Sequence, residues 1–220
     1  MSTRIPEPEL MDTAEQARAY AAADFTEPHD AFVARFRERF PEFSTGRALD
    51  LGCGTADVTV RFARAYPGVH VRGVDGAPAM LAEGLELVRT SRLGERVSLE
   101  LIRLPDPALA GTRYDAVISN SLLHHLADPG VLWAAVAATA HDRAPVFVMD
   151  LRRPASTDAA QELVDTYAAE ESPVLRDDFY RSLCAAYTPD EVQAQIVDSG
   201  LAGLGVERAG DRHLLAWGTR

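Results

Sequence analysis

Two cysteines, Cys53 and Cys184, are all the thiols in 220 residues. They are too few for a disulfide scaffold or a four-ligand metal site, and a reducing cytoplasm is the expected setting. No apolar run approaches the ~20 residues that a membrane span requires. The opening Met1-Ser2-Thr3-Arg4-Ile5-Pro6 lacks the apolar core of a secretory signal. Positive charge is in short supply: 22 basic residues face 33 acidic ones, for a formal charge of -11. An open nucleic-acid surface needs clustered cations to displace counterions, so that partner is not expected. Several catalytic signatures are missing as well. The chain has no Gly-x-x-x-x-Gly-Lys-Ser/Thr loop for a nucleoside triphosphate and no Gly-x-Ser-x-Gly elbow for a hydrolase. Neither a His-Glu-x-x-His run nor a carboxylate facial triad is present, so no protein-bound metal is expected. What remains is a small-molecule partner, with neither nucleic acid nor membrane, for a monomer or a homodimer.

With 47% hydrophobic residues the chain can bury one good core, and a single domain over 1–220 is the economical reading. From Arg47 onward strand and helix signals alternate. Strands are expected over 47–51, 69–74, 97–102, 114–119 and 146–149, with helices over 55–66, 77–90 and after Asp128. Asp128 reads as a cap with Pro129 at the first helical position. Thr188-Pro189-Asp190-Glu191 reads as a capping box, and Gly200 as the stop of that helix. Two last strands, 204–208 and 212–218, join at Ala209-Gly210-Asp211 as an antiparallel edge hairpin. Such βαβ alternation predicts an α/β fold with a doubly wound, mostly parallel sheet.

Two helical additions lie outside this frame. Residues 1–43 hold a helix capped by Asp12 and Glu15, a break at Phe25-Thr26-Glu27-Pro28, then Phe32, Phe36 and Phe40 at four-residue spacing. Either the stripe packs this segment onto the domain or the helices form a lid over a ligand, and both can hold together. Residues 154–187 are helical without a strand. Because they follow the fifth strand, they are expected to wall the edge of the sheet where substrates bind.

The segment Leu49-Asp50-Leu51-Gly52-Cys53-Gly54-Thr55 carries an apolar strand into two glycines and then a helix. Glycine at 52 and 54 permits a tight turn and lets a ligand approach the main chain without meeting a Cβ. Twenty-one residues after Gly54, His70-Val71-Arg72-Gly73-Val74-Asp75 ends a second strand in a carboxylate that can accept from both hydroxyls of a ribose. A dinucleotide would need a third small residue at 57, but Asp57 stands there, unfavourable beside two phosphate charges. An adenosine cofactor without phosphates removes the conflict, and S-adenosylmethionine is the obvious one.

In these motifs the sequence resembles the class I S-adenosylmethionine-dependent methyltransferases, over roughly residues 46–152 and more loosely to 220. The resemblance implies a seven-stranded sheet of order 3-2-1-4-5-7-6, its last strand antiparallel. It implies that Gly52, Cys53 and Gly54 approach the methionine part through their main chain, with Asp50 helping to fix its ammonium. Asp75, followed by Gly76, would bind the ribose, and Met80 would lie beside the adenine. Asn120 opens the segment Asn120-Ser121-Leu122-Leu123-His124-His125-Leu126, similar to one that approaches both methionine and acceptor. There are departures. Ala56 stands where many relatives carry glycine, and Leu104-Pro105 where many carry Asp or Asn for the adenine amine. Ile102 and Leu104 are expected to hold the adenine by apolar contact, with Asp106 the nearest acid.

An activated methyl group asks the protein to align a nucleophile, exclude water and, for some acceptors, remove a proton. His124 and His125 follow a polar strand end on the ligand side of the sheet, and either can serve as general base or as a cap on the next helix. Arg152, just past the fifth strand, can grip a carboxylate or phosphate, or can pair within the protein with Asp150 or Asp211. In the insertion, Tyr180 and Arg181 are candidates for substrate contact, while Phe179, Leu183 and Tyr187 fit a packed stripe. The Asp211-Arg212-His213 turn reads first as a structural ion pair that also has reach to the same pocket. The reaction expected is methyl transfer to a small nucleophile bearing a carboxylate or phosphate. Its rivals are cyclisation or elimination of the cofactor with release of methylthioadenosine, and a regulatory module that binds cofactor without chemistry.

Overall fold

The structure, a computed structural model, describes residues 3–8 and 10–220. Seven strands form one sheet: β1 (Thr45–Leu51), β2 (Gly68–Asp75), β3 (Val97–Leu101), β4 (Ala116–Asn120), β5 (Pro145–Leu151), β6 (Leu204–Ala209) and β7 (His213–Thr219). Their order is β3-β2-β1-β4-β5-β7-β6. The first five run parallel, and β7 is antiparallel to both β5 and β6, as the resemblance implied. The winding reverses between β1 and β4, where Asp50 lies opposite Ile118. A crevice therefore opens beyond the carboxyl ends of these two strands, the general place for ligands in such sheets.

Side chains alternate along each strand, so the two faces carry separate cores. Leu49, Leu51, Val117 and Val148 face α5 (Gly130–Thr139) and α8 (Pro189–Asp198) through Leu132, Trp133, Val192 and Ile196. Ala48, Val71, Ile118 and Phe147 face α2 (Thr26–Arg39), α3 (Asp57–Ala65) and α4 (Pro78–Thr90). The phenylalanine stripe belongs to this second face. Phe32 and Phe36 are fully buried and meet the Phe147 ring edge-on at 4.9 and 5.5 Å. Burying each is worth roughly 1.5–3 kcal/mol over leaving it exposed. α2 is thus a packing helix.

Helix α1 (Ala14–Ala22) does something else: Ala17 rests on Ala77 and Met80 at the start of α4, above the crevice. Helices α6 (Thr157–Tyr167) and α7 (Pro173–Ala185) form the insertion after β5 and share a small core of Ala160, Val164 and Leu183.

Local differences from the sequence reading have simple causes. Thr13 rather than Asp12 caps α1, its hydroxyl accepting from the Gln16 amide at 3.1 Å, while Asp12 is turned toward the Ala79 amide at 3.5 Å. α2 begins at Thr26, because Pro28 in its first turn removes an amide that the helix would not have used. α3 begins at Asp57 rather than 55, because Ala56 holds a left-handed φ of +62° and prolongs the glycine loop. The capping box of Thr188 and Glu191 forms as expected, and Asp128 accepts from the Gly130 amide at 2.9 Å. Among the described residues no helix is long and apolar enough to cross a membrane.

Candidate active site

The loop after β1 is tied to the end of β2. The amides of Gly52 and Cys53 both donate to the Val74 carbonyl, at 2.8 and 3.1 Å. Gly52 holds φ +73° against Leu122, where an added Cβ would lie 2.8 Å from the Leu122 Cβ. Glycine is required there by both conformation and space. The Gly54 amide donates to Asp75 Oδ2 and the Ala77 amide to Asp75 Oδ1, each at 2.8 Å. Burial raises the Asp75 carboxyl above its usual range even though these backbone donors oppose the shift.

Asp50 is buried at the end of β1 and accepts from Thr59 Oγ1 at 2.6 Å. Burial pushes its carboxyl up to about 7 against the Thr59 bond, and the Asp75 charge adds to the rise. Asn120, at the tip of β4, donates to Ser121 Oγ while its own Oδ1 is buried without a partner. The Cys53 thiol lies against Gly73, and burial drives it well above the ordinary thiol value, which makes it inert.

One cavity of about 360 Å³ joins these groups, within the range of small-molecule sites. Asp50, Gly52, Cys53, Gly54 and Asn120 border it, and so do Asp75, Gly76, Met80, Ile102 and Leu104, so every cofactor candidate from the sequence faces the same space. Asp106 does not: its carboxylate caps a short turn through the Ala108 amide at 2.7 Å. Tyr20 and Phe25, stacked at 4.5 Å, and His29, held to Asp57 at 2.6 Å, also border the cavity. Burial pushes the Tyr20 phenol up to about 12, with acidic neighbours adding to the shift.

His124 and His125 border the cavity as well. His124 Nδ1 is 2.5 Å from Asp150 Oδ1, and Asp150 Oδ2 accepts from the Leu123 amide at 2.7 Å. Burial opposes protonation of His124, but the Asp150 carboxylate outweighs it, with Glu7 in support, and holds the imidazole above its ordinary value. His125 goes the other way: burial, with the His124 charge adding to it, pushes it down to about 3.

A residue that carried no sequence signal completes the group. Glu7 lies with Oε1 at 3.6 Å from His124 Nε2 and 3.2 Å from His125 Nδ1, and it accepts from Ser182 Oγ at 3.0 Å. Burial raises its carboxyl although the His124 charge opposes the rise. Three residues earlier, Arg4 donates to the carbonyls of Ala185 and His124, at 2.6 and 2.9 Å, and stacks on Tyr187 at 4.2 Å. These bonds strap the first residues across the base of α7 and the histidine turn.

The substrate-side expectations are corrected by register. Met149 and Leu151 border the cavity, so strand alternation turns Arg152 away. Its Nη2 donates to the Asp211 main-chain carbonyl at 2.5 Å, an internal contact, though not the ion pair with a carboxylate that the sequence reading allowed. Arg153 is likewise structural, paired at 2.6 Å with Glu191 of the capping box. On α7 the face turned to the cavity is Leu175, Asp178, Phe179 and Ser182, an i, i+3, i+4, i+7 set. Tyr180 packs instead toward α6, and Arg181 pairs with Asp177 at 2.7 Å on an exposed face. Tyr187 lies beyond the end of α7 and donates to the Leu126 carbonyl at 3.1 Å, so it is not part of a helical stripe. Two arginines border the cavity, Arg103 and Arg212, and Arg212 lies over Tyr167 with its guanidinium carbon 3.5 Å from the ring centroid. His213 beside it is pushed down to about 4 by burial, with the Arg212 charge adding to the shift.

A family described as a methyltransferase domain matches residues 49–146. Among curated relatives, trans-aconitate 2-methyltransferase of Deinococcus radiodurans is 30% identical over 148 residues, which cover 67% of this chain and 53% of that protein. Malonyl-[acyl-carrier protein] O-methyltransferase of Bacillus cereus is 32% identical over 101 residues, 44% of this chain and 34% of that one. The chain spans between about a quarter and about half of the length of the curated relatives it matches. A SAM-dependent methyltransferase from Aquifex aeolicus superposes with a TM-score of 0.70 at 14% identity, covering 94% of this chain and 98% of that chain. The plantazolicin methyltransferase BpumL, solved with SAH and a pentazolic desmethylPZN analogue, gives 0.70 at 12% identity, covering 94% of this chain and 89% of that chain. The match over residues 49–146, the strand order and the superposition together give the chain the fold of the class I S-adenosylmethionine-dependent methyltransferases.

Proposed function

We propose that this protein transfers the methyl group of S-adenosylmethionine to a nucleophilic atom of a small, anion-bearing molecule. The observation that carries the reading is the convergence of Asp50, Asp75 and the partnerless Asn120 Oδ1 on one cavity beside the main chain of Gly52–Gly54. Two buried carboxyls that disfavour each other's charge suit a ligand that brings a cation and hydroxyl donors. When bound, the cofactor supplies a methyl group already activated on a sulfonium. Asp75 would accept from the ribose hydroxyls, with Asp50 and Asn120 Oδ1 taking the ammonium. Met80, Ile102 and Leu104 would flank the adenine, and Tyr20 and Phe25 would keep water from that end. Holding the acceptor in line is then the main task of the remaining walls.

Arg212, Phe179 and Ser182 border the same cavity and would meet an acceptor. His124 has both ring nitrogens turned to carboxylates, so this arrangement supports an acceptor that is already anionic and needs no base. Two of the relatives are named for malonyl and trans-aconitate, both carboxylate compounds. Arg212 would hold the anionic handle in place of Arg152.

Mass spectrometry after incubation with S-adenosylmethionine tests the reading. The expected result is a stable cofactor alone, and S-adenosylhomocysteine only when a carboxylic-acid acceptor from a panel is added. Methylthioadenosine from cofactor alone would replace transfer by cyclisation, and cofactor binding without turnover across the panel would leave a binding module.

A further inference from the structure

We infer that Glu7, His124 and His125 form a site for a divalent transition-metal ion of the zinc class, which clasps the N-terminal strap to the rim of the cavity. Their ligand atoms lie within 4.8 Å of one another on two segments far apart in sequence. Ligands about 2.0–2.1 Å from a tetrahedral zinc stand about 3.3 Å from each other. The Glu7 Oε1 separations of 3.2 Å to His125 Nδ1 and 3.6 Å to His124 Nε2 bracket that value.

Hydrogen bonding does not account for the same contacts. A separation of 3.6 Å is beyond hydrogen-bond reach. His125 Nδ1 is buried and makes no hydrogen bond, despite a carboxylate oxygen at 3.2 Å. On His124, Nδ1 is held to Asp150 at 2.5 Å, so Nε2 is the ring nitrogen that faces Glu7. Two ring nitrogens and a carboxylate oxygen converge there, and a bound cation would take the place of the His124 proton.

The surroundings fit. Asp150 behind His124 makes the carboxylate–histidine pair that orients metal-bound imidazoles, and Asp150 is fixed in turn by the Leu123 amide. Ser182 donates to Glu7 and steadies the third ligand. Imidazole nitrogen with carboxylate oxygen suits zinc, and three protein ligands leave a fourth position for water. Sequence spacing concealed the site because Glu7 is more than a hundred residues from the histidines. The inference does not rest on the methyl-transfer reading.

The test is Zn²⁺ titration by calorimetry of the full chain after chelator stripping, with Co²⁺ absorption to report geometry. One equivalent is expected with a tetrahedral Co²⁺ spectrum. Glu7→Gln and His125→Ala should each weaken Zn²⁺ by more than the ~10–100-fold that loss of an outer-shell partner costs. Cys184→Ser should leave it unchanged. Circular dichroism verifies that each variant is folded, and Glu7→Gln, on the N-terminal strap, does not touch the sheet core. Absence of Zn²⁺ binding to the stripped chain overturns the inference, as does binding that survives both ligand changes. Cofactor titration of the same samples keeps the two questions apart: a chain that binds Zn²⁺ but not S-adenosylmethionine defeats the function reading alone.

Discussion

The proposed cofactor end of the cavity and its proposed acceptor end are built by different means. At the cofactor end, Gly52, Gly54 and Asp75 sit where two parallel strands stop, and backbone donors fix them within a span of 24 residues. At the acceptor end, Glu7, His124, Asp150, Asp178 and Arg212 come from five separate stretches, and side-chain contacts bring Glu7, His124 and Asp150 together. A pocket wall made of main chain tolerates little change in its sequence. One made of side chains can change its specificity by single substitutions on the strap, on α7 or in the hairpin.

The largest expected effect lies at the cofactor end. Asp75→Ala removes acceptors for ribose and the anchor for the Gly54 and Ala77 amides. Hydrogen bonds to a charged group are worth about 1.5–3 kcal/mol, so calorimetry should show S-adenosylmethionine affinity falling roughly 10–100-fold. Asp198→Ala, on an exposed helix end, should leave it unchanged. Equal affinities for the two variants would remove Asp75 from the site.

Second comes a contrast between two arginines. Arg212→Ala should raise the acceptor KM about tenfold, the low end of a charged hydrogen bond, because Arg212 already has Glu27 at 3.4 Å as a competing partner. Arg152→Ala, which loses only an internal contact to the Asp211 carbonyl, should move KM little. The reverse ranking in steady-state kinetics would restore Arg152 as the anchor.

That reversal shows how far the sequence can be read. Strand order, the glycine turn and Asp75 were legible because each is dictated locally: a φ of +73° at Gly52 demands its residue type. Arg152 and Tyr180 each stand one residue from a cavity-lining neighbour, Leu151 and Phe179, because residue type alone does not say which face a side chain takes. The period of α7 held the answer, with Leu175, Asp178, Phe179 and Ser182 on one side. Arg4 and Glu7 had no local pattern at all, since an extended strap takes its position only from what it touches.

Asp50 gives a third, pH-dependent expectation. Its carboxyl is raised from 3.8 to about 7, chiefly by burial. Between about pH 4 and 7 the folded chain therefore binds more protons than the unfolded one, so Asp50 makes stability fall as pH rises through that window. A bound ammonium prefers the ionised form, so cofactor affinity should run the other way, rising several-fold from pH 6 to 8. Calorimetry on the parent chain and Asp50→Asn should show this slope flattened in the variant. A parallel slope in both would assign it to another group.

The smallest effect expected is at Ala56, where the resemblance to methyltransferases and the backbone both call for glycine. A non-glycine residue at φ +62° carries a conformational cost of about 1–2 kcal/mol. Yet the Ala56 methyl is completely buried, which returns roughly 0.8 kcal/mol for a CH₂-sized group. Glycine also adds unfolded-state entropy of about 0.5–1 kcal/mol. These opposing effects nearly cancel, so Ala56→Gly should shift stability by less than about 1 kcal/mol in urea unfolding. Its larger consequence should be in the loop: the added freedom lies two residues from Gly54, whose amide holds Asp75 at 2.8 Å. A modest loss of cofactor affinity at nearly unchanged stability is the expected pairing. Marked stabilisation would mean that the buried methyl contributes little and that backbone strain at this turn outweighs it.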